Sequence, residues 1–416
     1  MRIVIIFLSL FPVLALGQIT WHEIPTPTDQ TLNCIQFVNG QVGYIGGLET
    51  LLKTEDGGAN WTEVTIDSIS MNTSVDLDIF DMHWFDAQHG IMMAGVWGGM
   101  FETMDGGANW SPVTPANGGF CQSTSVFFFD ENNGFAGGAG CFEGHIIDRL
   151  ENGTWSTTMD PQDWDTNNWV SSIEFKDANT GFAGTLNGTL LRTTDAGLNW
   201  DTITNPASGH LISDFIFEGN GDIRATHKNG GQWGVMLSTD NGLTWDYDPE
   251  TATFFYPQMN AAHIDNNGTI YLGGIEGNLG MQGVIFDNSA GWWNYQTVDA
   301  QVNDITSIID TTTFLVCDSG KVFVNVDPAA LSATEIQKVN GLKVWPNPFE
   351  ESLNIEATGA KVQTVIVRDL TGKILSTHAI TERQRSVNLS QLPNGAYTLS
   401  ISEVGDTQNL KVIKVK

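Results

Sequence analysis

Short apolar runs separated by turn residues dominate the chain up to about residue 330. Typical runs are GYIGG, GIMMAGV, GFAGG and TLLKT, with glycine, asparagine or aspartate between them. Runs of this kind predict β-strands joined in antiparallel hairpins. Because long runs of Leu, Glu, Lys and Ala at helical spacing are missing from the sequence, the pattern predicts an all-β fold.

One octet, Ser/Thr-x-Asp-x-Gly-x-x-Trp, recurs along this part of the chain. Its tryptophans are 49, 90 and 45 residues apart, and ENGTW at 151–155 fills the long interval. A period of 45 to 49 residues is typical of a four-stranded propeller blade. The copies are TEDGGANW (54–61), TMDGGANW (103–110), TTDAGLNW (193–200) and STDNGLTW (238–245), followed by a degenerate FDNSAGWW.

The number of blades follows from the tryptophans that open each fourth strand. WHEI at 21–24 is a fourth strand with no blade before it, whereas 302–326 supplies three strands with no such strand after them. We therefore predict seven blades, with the N-terminal strand completing the last blade and closing the ring. The tryptophans counted are Trp21, Trp61, Trp110, Trp155, Trp200, Trp245 and Trp292.

Each residue type of the octet has a structural role that chemistry explains. The aspartate accepts backbone hydrogen bonds within the turn, the glycine adopts a backbone angle that other residues resist, and the tryptophan packs under the turn. The Ser/Thr hydroxyl is expected to bond across the hairpin. The structural set is Thr54, Asp56, Gly58, Trp61, Thr103, Asp105, Gly107, Trp110, Thr193, Asp195, Gly197, Trp200, Ser238, Asp240, Gly242 and Trp245.

The octet resembles the Asp-box, or BNR repeat, of sialidase-like and sortilin-like propellers. The GGxxW turns and GFAGG strands resemble the photosystem II assembly factor type, and the resemblance covers about residues 19–330. It implies the propeller fold but no particular activity. Sialidases use three arginines and carry a Phe/Tyr-Arg-Ile-Pro signature. This signature is absent from the sequence, and the arginines of the propeller are only Arg149, Arg192 and Arg224. We therefore do not expect sialidase activity.

The loops opposite the Asp-box turns carry aromatic residues and are the candidate ligand site. In a propeller, the loops between the second and third strands lie on the same face as the loops from each fourth strand to the first strand of the next blade. The aromatic rings of these loops are predicted to form platforms for a sugar or a peptide. The alternative is that the rings pack between blades. The candidates are Trp97, Trp164, Trp169, Trp233, Phe255 and Tyr256.

The sequence pattern changes after residue 330, where the propeller repeats end. Residues 331–341 form a linker, and 342–416 contain about seven short strands with alternating patterning, which predicts a small Ig-like β-sandwich. The segments VWPNP, DLTGK and LPNGAY and the basic end resemble the type A sorting domain of the type IX secretion system of Bacteroidetes. The resemblance implies that the type IX machinery is a partner and that the protein is secreted or held on the outer cell surface.

The ends of the chain and its cysteines fit that route. Residues 1–17 have one basic residue, an apolar run and a small-residue end, and are a predicted signal peptide; 18–330 form the predicted propeller. No later segment is long and apolar enough to span a membrane. Cys121 with Cys141, and then Cys34 with Cys317, are the candidate disulfides, although three pairings exist.

Charge narrows the list of partners. Residues 342–416 hold 9 of the 18 Lys and Arg and 7 of the 48 Asp and Glu, so 1–341 carry 9 basic and 41 acidic residues. An acidic surface repels phosphate backbones, so no nucleic acid partner is expected. No cofactor is predicted, and a structural calcium ion stays an open alternative. The sequence favours a non-catalytic propeller that binds an extracellular polysaccharide or protein; the alternative is a carboxylate-dependent glycoside hydrolase on the same face.

Overall fold

The fold is described from a computed structural model of the 416-residue chain. The predicted signal peptide, most of the predicted linker, Cys121 and Cys141 lie outside the residues that it describes. The described residues are 19–66, 68–69, 77–95, 99–114, 122–139, 145–159, 168–228, 234–251, 257–276, 282–291, 293–308, 312–326, 331, 342–345, 352–357, 364–368, 373–379, 386–392, 395–403 and 406–414.

The chain divides into two compact units, Met1–Ser332 and Ala333–Lys416. The described residues of the first unit form seven sheets, each with four antiparallel strands in blade order, which is a seven-bladed β-propeller. The predicted fold class is therefore confirmed. Outside the blades, the described part of this unit has a single 3-10 turn, Asp318–Gly320.

The first four complete blades each run from an inner first strand to an outer fourth strand, and blade 2 gains a short extra strand, β6, beside β10. Their strands are β2 Leu32–Phe37, β3 Gly43–Gly47, β4 Thr50–Thr54 and β5 Thr62–Glu63 in blade 1; β6 Ser68–Ile69, β7 Ile79–Trp84, β8 Gly90–Ala94, β9 Gly99–Thr103 and β10 Asn109–Val113 in blade 2; β11 Gln122–Asp130, β12 Asn133–Ala139, β13 His145–Glu151 and β14 Thr154–Met159 in blade 3; and β15 Val170–Phe175, β16 Gly181–Thr185, β17 Leu190–Thr193 and β18 Asp201–Ile203 in blade 4.

The last blade is built from both ends of the propeller. Strand β1, His22–Ile24, pairs antiparallel with β29, so that His22 lies opposite Val324. This pairing confirms the predicted closure of the ring by the N-terminal strand. The remaining strands are β19 Leu211–Phe217, β20 Ile223–Lys228, β21 Val235–Ser238 and β22 Asp246–Tyr247 in blade 5; β23 Pro257–Ile264, β24 Ile270–Glu276, β25 Gly283–Asp287 and β26 Asn294–Val298 in blade 6; and β27 Val302–Ile308, β28 Thr312–Cys317 and β29 Val322–Val324 in blade 7.

The described residues of the second unit form seven strands in two sheets, ordered β30-β31-β34 and β33-β32-β35-β36. Its buried cluster draws Leu353 and Val387 from the first sheet and Val365, Leu399 and Ile401 from the second. The core therefore lies between the two sheets, as the predicted sandwich requires. The strands are β30 Leu342–Trp345, β31 Ser352–Ala357, β32 Thr364–Arg368, β33 Ile374–Ala379, β34 Ser386–Asn388, β35 Gly395–Glu403 and β36 Asp406–Lys414.

The core of the propeller consists of apolar clusters between neighbouring blades. One cluster joins Ile308 and Phe314 of blade 7 to Ile35 and Leu52 of blade 1. The small residues of the second strands permit this close packing: a Cβ on Gly46 would lie 2.5 Å from the side chain of Ile79 in the next blade. The glycine-flanked strands of the sequence are thus the inter-blade contact strands.

The Asp-box turns close on their own aspartates. Asp105 accepts hydrogen bonds at 2.9 Å from the backbone N–H of Asn109 and at 2.8 Å from its side-chain amide. Hydrogen bonds from the Asn109 side chain and backbone hold the pKa of the Asp105 carboxyl below its usual value. Trp110 is buried, and its indole N–H donates to the carbonyl oxygen of Gly107 at 2.8 Å.

The conserved hydroxyl of the octet works inside the turn, and the expected bond across the hairpin is wrong. Thr103 Oγ1 donates to Asp105 at 2.9 Å and accepts the backbone N–H of Gly107 at 3.0 Å. The glycine is needed because its φ is positive, at +78° for Gly242, and because a Cβ there would lie 2.2 Å from the ring of Phe182 in the preceding blade. The turn therefore also fixes neighbouring blades to each other.

The expected bridge between Cys34 and Cys317 is wrong, because both are buried free thiols. Cys34 belongs to the cluster that packs blade 1 against blade 2, whereas Cys317 belongs to the cluster between blades 6 and 7. The two thiols thus lie on the far sides of adjacent sheets. A disulfide needs Cα atoms less than about 7 Å apart with converging side chains.

Candidate functional site

The first strands of the seven blades surround a cavity of about 650 Å³ at the centre of the ring. Its wall includes residues of every blade, from Asn33 in blade 1 to Asp304 in blade 7. The starts of these strands and the ends of the second strands form one face, which we call the mouth face. The Asp-box turns form the opposite face, where Gly57 N–H bonds the carbonyl of Gln41 in the turn between first and second strands.

Every first strand carries a β-bulge within its first four residues, near its start on the mouth side. In each blade the pairing with the second strand shifts by one residue at this point, for example between Leu32 and Cys34. The extra residue points to the central cavity, because bulges re-aim side chains. The seven extra residues are Asn33, Phe80, Thr124, Ser171, Ser213, Asn260 and Asn303, and we call them the bulge belt.

Six of the seven belt residues tie one blade to the next. Each donates a side-chain hydrogen bond to the carbonyl of the residue before the bulge of the following blade. The pairs are Asn33 to Ile79 at 2.9 Å, Thr124 to Val170, Ser171 to Ile212 at 2.5 Å, Ser213 to Met259 at 2.8 Å, Asn260 to Val302 at 2.7 Å and Asn303 to Leu32 at 2.9 Å.

Phe80 is the exception in the belt, since a phenyl ring cannot donate this bond. It is 36% exposed, so the junction between blades 2 and 3 presents an apolar ring to the cavity. The belt was not predicted from the sequence. Its signal was an Asn, Ser or Thr within the first four residues of six of the seven first strands, and only the bulges make these positions comparable between blades.

Three aspartates follow belt residues and face the cavity, and both oxygens of each carboxyl are used. Asp304 accepts the backbone N–H of Ile35 in blade 1 at 2.8 Å and that of Ile305 at 2.7 Å. Asp81 and Asp214 make the same pairs of bonds to blades 3 and 6. These carboxyls are therefore inter-blade latches.

Burial inside the ring raises the pKa values of these acids. It raises the pKa of Asp81 to about 6 and that of Asp214 to about 7, with the charge of Asp81 adding to the second shift. Burial also raises the pKa of Asp304 well above its usual range, against the lowering effect of the hydrogen bond from the Ile35 N–H, and the charge of Asp214 adds to the increase. Burial in the cavity therefore favours the protonated form of these carboxyls.

Glu174 on β15 is the cavity carboxyl without a latch role. It has no hydrogen bond or ion pair to any residue that the structure describes, and burial and then the charges of Asp214, Asp81 and Asp304 raise its pKa well above normal. His263 also lines the cavity; burial lowers its pKa to about 4, so the ring is neutral at pH 7. An unused carboxyl and a neutral imidazole are the groups that proton transfer would require here.

Two side chains of neighbouring blades stand at the mouth of the cavity. Trp169 precedes β15, is partly exposed and lines the cavity, so the structure puts this candidate on the predicted face. Lys228 ends β20 opposite Leu211 and lines the same cavity. The hydrogen bond from Ser171 to Ile212 joins their two strands.

The remaining predicted ligand residues lie outside the described part of the chain. They stay predictions, and the sequence places them between described strands whose ends meet at the mouth face. These residues are Trp97, Trp164, Trp233, Phe255 and Tyr256.

The three arginines of the propeller are each engaged away from the cavity wall. Arg149 pairs with Glu151 at 2.8 Å, and Arg192 Nε donates to the carbonyl of Asn241 at 3.1 Å. Arg224 is buried and pairs with Asp248 at 2.9 Å. These residues lie in three different blades and do not form a carboxylate-binding triad.

Within the described ranges, no group of three or more His, Cys, Asp or Glu side chains has the arrangement of a metal site. The same ranges contain no helix of the length and hydrophobicity needed to cross a bilayer.

The family comparison matches the C-terminal unit. Residues 343–416 match the model described as "Secretion system C-terminal sorting domain". This match confirms the resemblance predicted from VWPNP, DLTGK and LPNGAY. No curated protein matches the chain in sequence.

Solved structures resemble the propeller at low identity. Virginiamycin B lyase from Staphylococcus aureus has 13% identity, covers 73% of this chain and 98% of its own, and gives a TM-score of 0.55. The extracellular domain of BT4673 from B. thetaiotaomicron has 10% identity, covers 93% and 57%, and gives 0.52. YCF48 bound to D1 peptide has 18% identity, covers 63% and 98%, and gives 0.39. At these identities the similarity shows the fold alone.

Proposed function

We propose that the propeller is a non-catalytic binding module that holds an extracellular polysaccharide or protein at its mouth face. The sorting domain at 343–416 directs the chain out of the cell, so that the protein is displayed at the surface or secreted. A binding partner is then met outside the cell. The type IX secretion machinery is the partner that we propose for the sorting domain itself.

The observation that carries this proposal is the chemistry of the cavity mouth. Trp169 and Phe80 offer partly exposed rings there, and an aromatic face is a good platform for a sugar ring or an apolar side chain. The three cavity aspartates use both carboxyl oxygens on backbone N–H groups. Carboxyls held in this way support the architecture and leave ligand contact to the rings and to the mouth loops.

The acidic surface supports the choice of partner. With 41 acidic and 9 basic residues in 1–341, the propeller repels polyanions such as nucleic acids. We therefore propose no nucleic acid partner. A structural calcium ion stays an open alternative.

A glycan-cleaving enzyme is the second candidate, and Glu174 favours it. A glycosidase needs one protonated carboxyl and one ionised carboxylate about 5–10 Å apart. Glu174 has a raised pKa and lacks a structural partner among the described residues, as a general acid would. The second carboxylate would have to come from a latch aspartate, which would weaken a blade junction.

A glycan array combined with a hydrolysis screen distinguishes the two functions. The full chain, its Trp169→Ala variant and its Glu174→Gln variant would be compared on the same glycans and on extracellular proteins. We expect binding that Trp169→Ala removes and Glu174→Gln retains, with no released sugar. Hydrolysis that Glu174→Gln abolishes would instead identify the enzyme, and the absence of any bound ligand would contradict the binding proposal.

A further inference from the structure

Lys228 differs from every other described basic residue of the propeller because it lacks a partner. It makes no hydrogen bond and no ion pair with any residue that the structure describes, although it is partly buried. The other basic residues are each engaged: Lys53 with Glu55, Arg149 with Glu151, Lys176 with Asn241, Arg192 with the Asn241 carbonyl, Arg224 with Asp248 and Lys321 with Asp299.

An unpaired, partly buried ammonium is costly to the fold. Burial lowers the pKa of Lys228, and the charge of Asp318 opposes that shift only in part. Asp318 does not pair with it, because Asp318 Oδ1 accepts the side-chain amide of Asn303 at 2.9 Å. Buried charges in proteins are normally paired, so a cation at a cavity mouth that has no partner among the described residues favours an anionic ligand group.

The surroundings of Lys228 restrict the kind of anion. Strand β15, which follows Trp169, is joined to β19, which pairs with β20. The hydroxyl of Ser171 donates to the carbonyl oxygen of Ile212 at 2.5 Å. An indole face and an ammonium therefore flank the same part of the mouth. The strongly acidic propeller also disfavours ligands with several charges, since only the local cation offsets the repulsion.

We propose that Lys228 and Trp169 bind one uronic acid residue, with its ring on the indole and its carboxylate on the ammonium. This inference rests on the proposed binding function and names its ligand class as an acidic polysaccharide. Because a long uronate chain would be repelled by the remaining surface, the site recognises a chain end. A trimer is therefore expected to bind at least as tightly as a polymer.

Matched sugars test the carboxylate. Trigalacturonate and its methyl ester differ in charge but share their ring shape, and calorimetry with the full chain would measure both. We expect the acid to bind at least about tenfold more tightly than the ester, since a hydrogen bond to a charged group contributes about 1.5–3 kcal/mol. Equal affinities would overturn the proposal.

Matched variants test the lysine. Lys228→Met is expected to weaken trigalacturonate binding about ten- to a hundredfold while the melting temperature stays constant or rises, because an unpaired buried charge is removed. Lys53→Met removes one charge far from the cavity and should leave binding unchanged. Unaltered binding in Lys228→Met, or a large loss of its melting temperature, would overturn the proposed role.

Further outcomes separate this inference from the function on which it rests. If a neutral glycan, or a peptide with a free C-terminal carboxylate, binds in a manner sensitive to Trp169→Ala while trigalacturonate does not, the uronate proposal fails and the binding function stands. If no sugar or peptide binds, both fail. With a bound uronate, affinity is expected to fall as the pH rises through the lowered pKa of Lys228, below the usual 10.5.

Discussion

The side-chain amide of Asn303 in blade 7 donates a hydrogen bond of 2.9 Å to the carbonyl oxygen of Leu32 in blade 1. Asn303 is the member of the bulge belt that joins the first strand of blade 7 to the first strand of blade 1. The ring is therefore closed twice, by this bond near the axis and by the pairing of β1 with β29 at its periphery.

The belt predicts the effect of removing this donor. Asn303→Leu leaves the Leu32 carbonyl and the Asp318 carboxyl without it, which should lower the free energy of unfolding by about 1–3 kcal/mol. Chemical denaturation of the full chain measures the change. The exposed turn residue Asn266 supplies the control, since Asn266→Leu should change stability by less than about 0.5 kcal/mol. Equal stability of the two variants would contradict the latch role.

The Asp-box hydroxyl predicts a second loss. Thr103 is buried, and Thr103→Val keeps its shape but leaves the Gly107 N–H unpaired, so we expect a loss of about 1–3 kcal/mol and a lower melting temperature. Thr202→Val, at an exposed position of β18, is the matched control. A variant as stable as the control would mean that the aspartate alone closes the turn.

The cavity acids predict that stability falls as the pH rises through neutrality. Their folded pKa values are raised, to about 7 for Asp214 and well above normal for Asp304 and Glu174, so the folded state keeps protons that the unfolded state releases. The stabilisation is complete below the unfolded pKa of 3.8 and is lost as the pH passes the folded pKa of about 7. The buried His83 and His263 act in the opposite direction only up to pH 6.5.

Melting temperatures between pH 6.5 and 8.5 measure this slope. We expect the melting temperature to decrease over that range, and Asp214→Asn to make the decrease shallower because one raised carboxyl is removed. Asp201→Asn, at an exposed position, should leave the slope unchanged. A melting temperature that increases with pH in this window would show that the cavity carboxyls are ionised in the folded protein.

The mouth face predicts a loss of binding without a loss of fold. Trp169→Ala should weaken binding of a glycan or protein ligand by about 2 kcal/mol or more, as truncation of a buried aromatic anchor does. The melting temperature should change little, because the ring is partly exposed. Phe129, 45% exposed on the Asp-box side, is the control, and its alanine variant should bind normally. Loss of binding in both variants would place the ligand elsewhere.

The sequence by itself determined the blade architecture. Asp, Gly and Trp at fixed spacing specify one turn each time they occur, since the contacts of Asp105 and Trp110 are local. Counting the tryptophans that open the fourth strands predicted seven blades. The orphan strand at 21–24 likewise predicted the closure that β1 makes with β29. The sorting domain was equally readable, because its turn motifs are contiguous in sequence.

The tertiary structure decided everything that depends on contacts between blades. The bulges bring Asn33, Ser171 and Asn303 to one level, and a side chain one register away would face the neighbouring sheet instead. Sequence proximity to the ring junction suggested a bridge between Cys34 and Cys317, yet alternation along the strands sends the thiols to opposite sides of two sheets. The fold likewise decides that none of the described acidic residues forms an ion pair with Lys228.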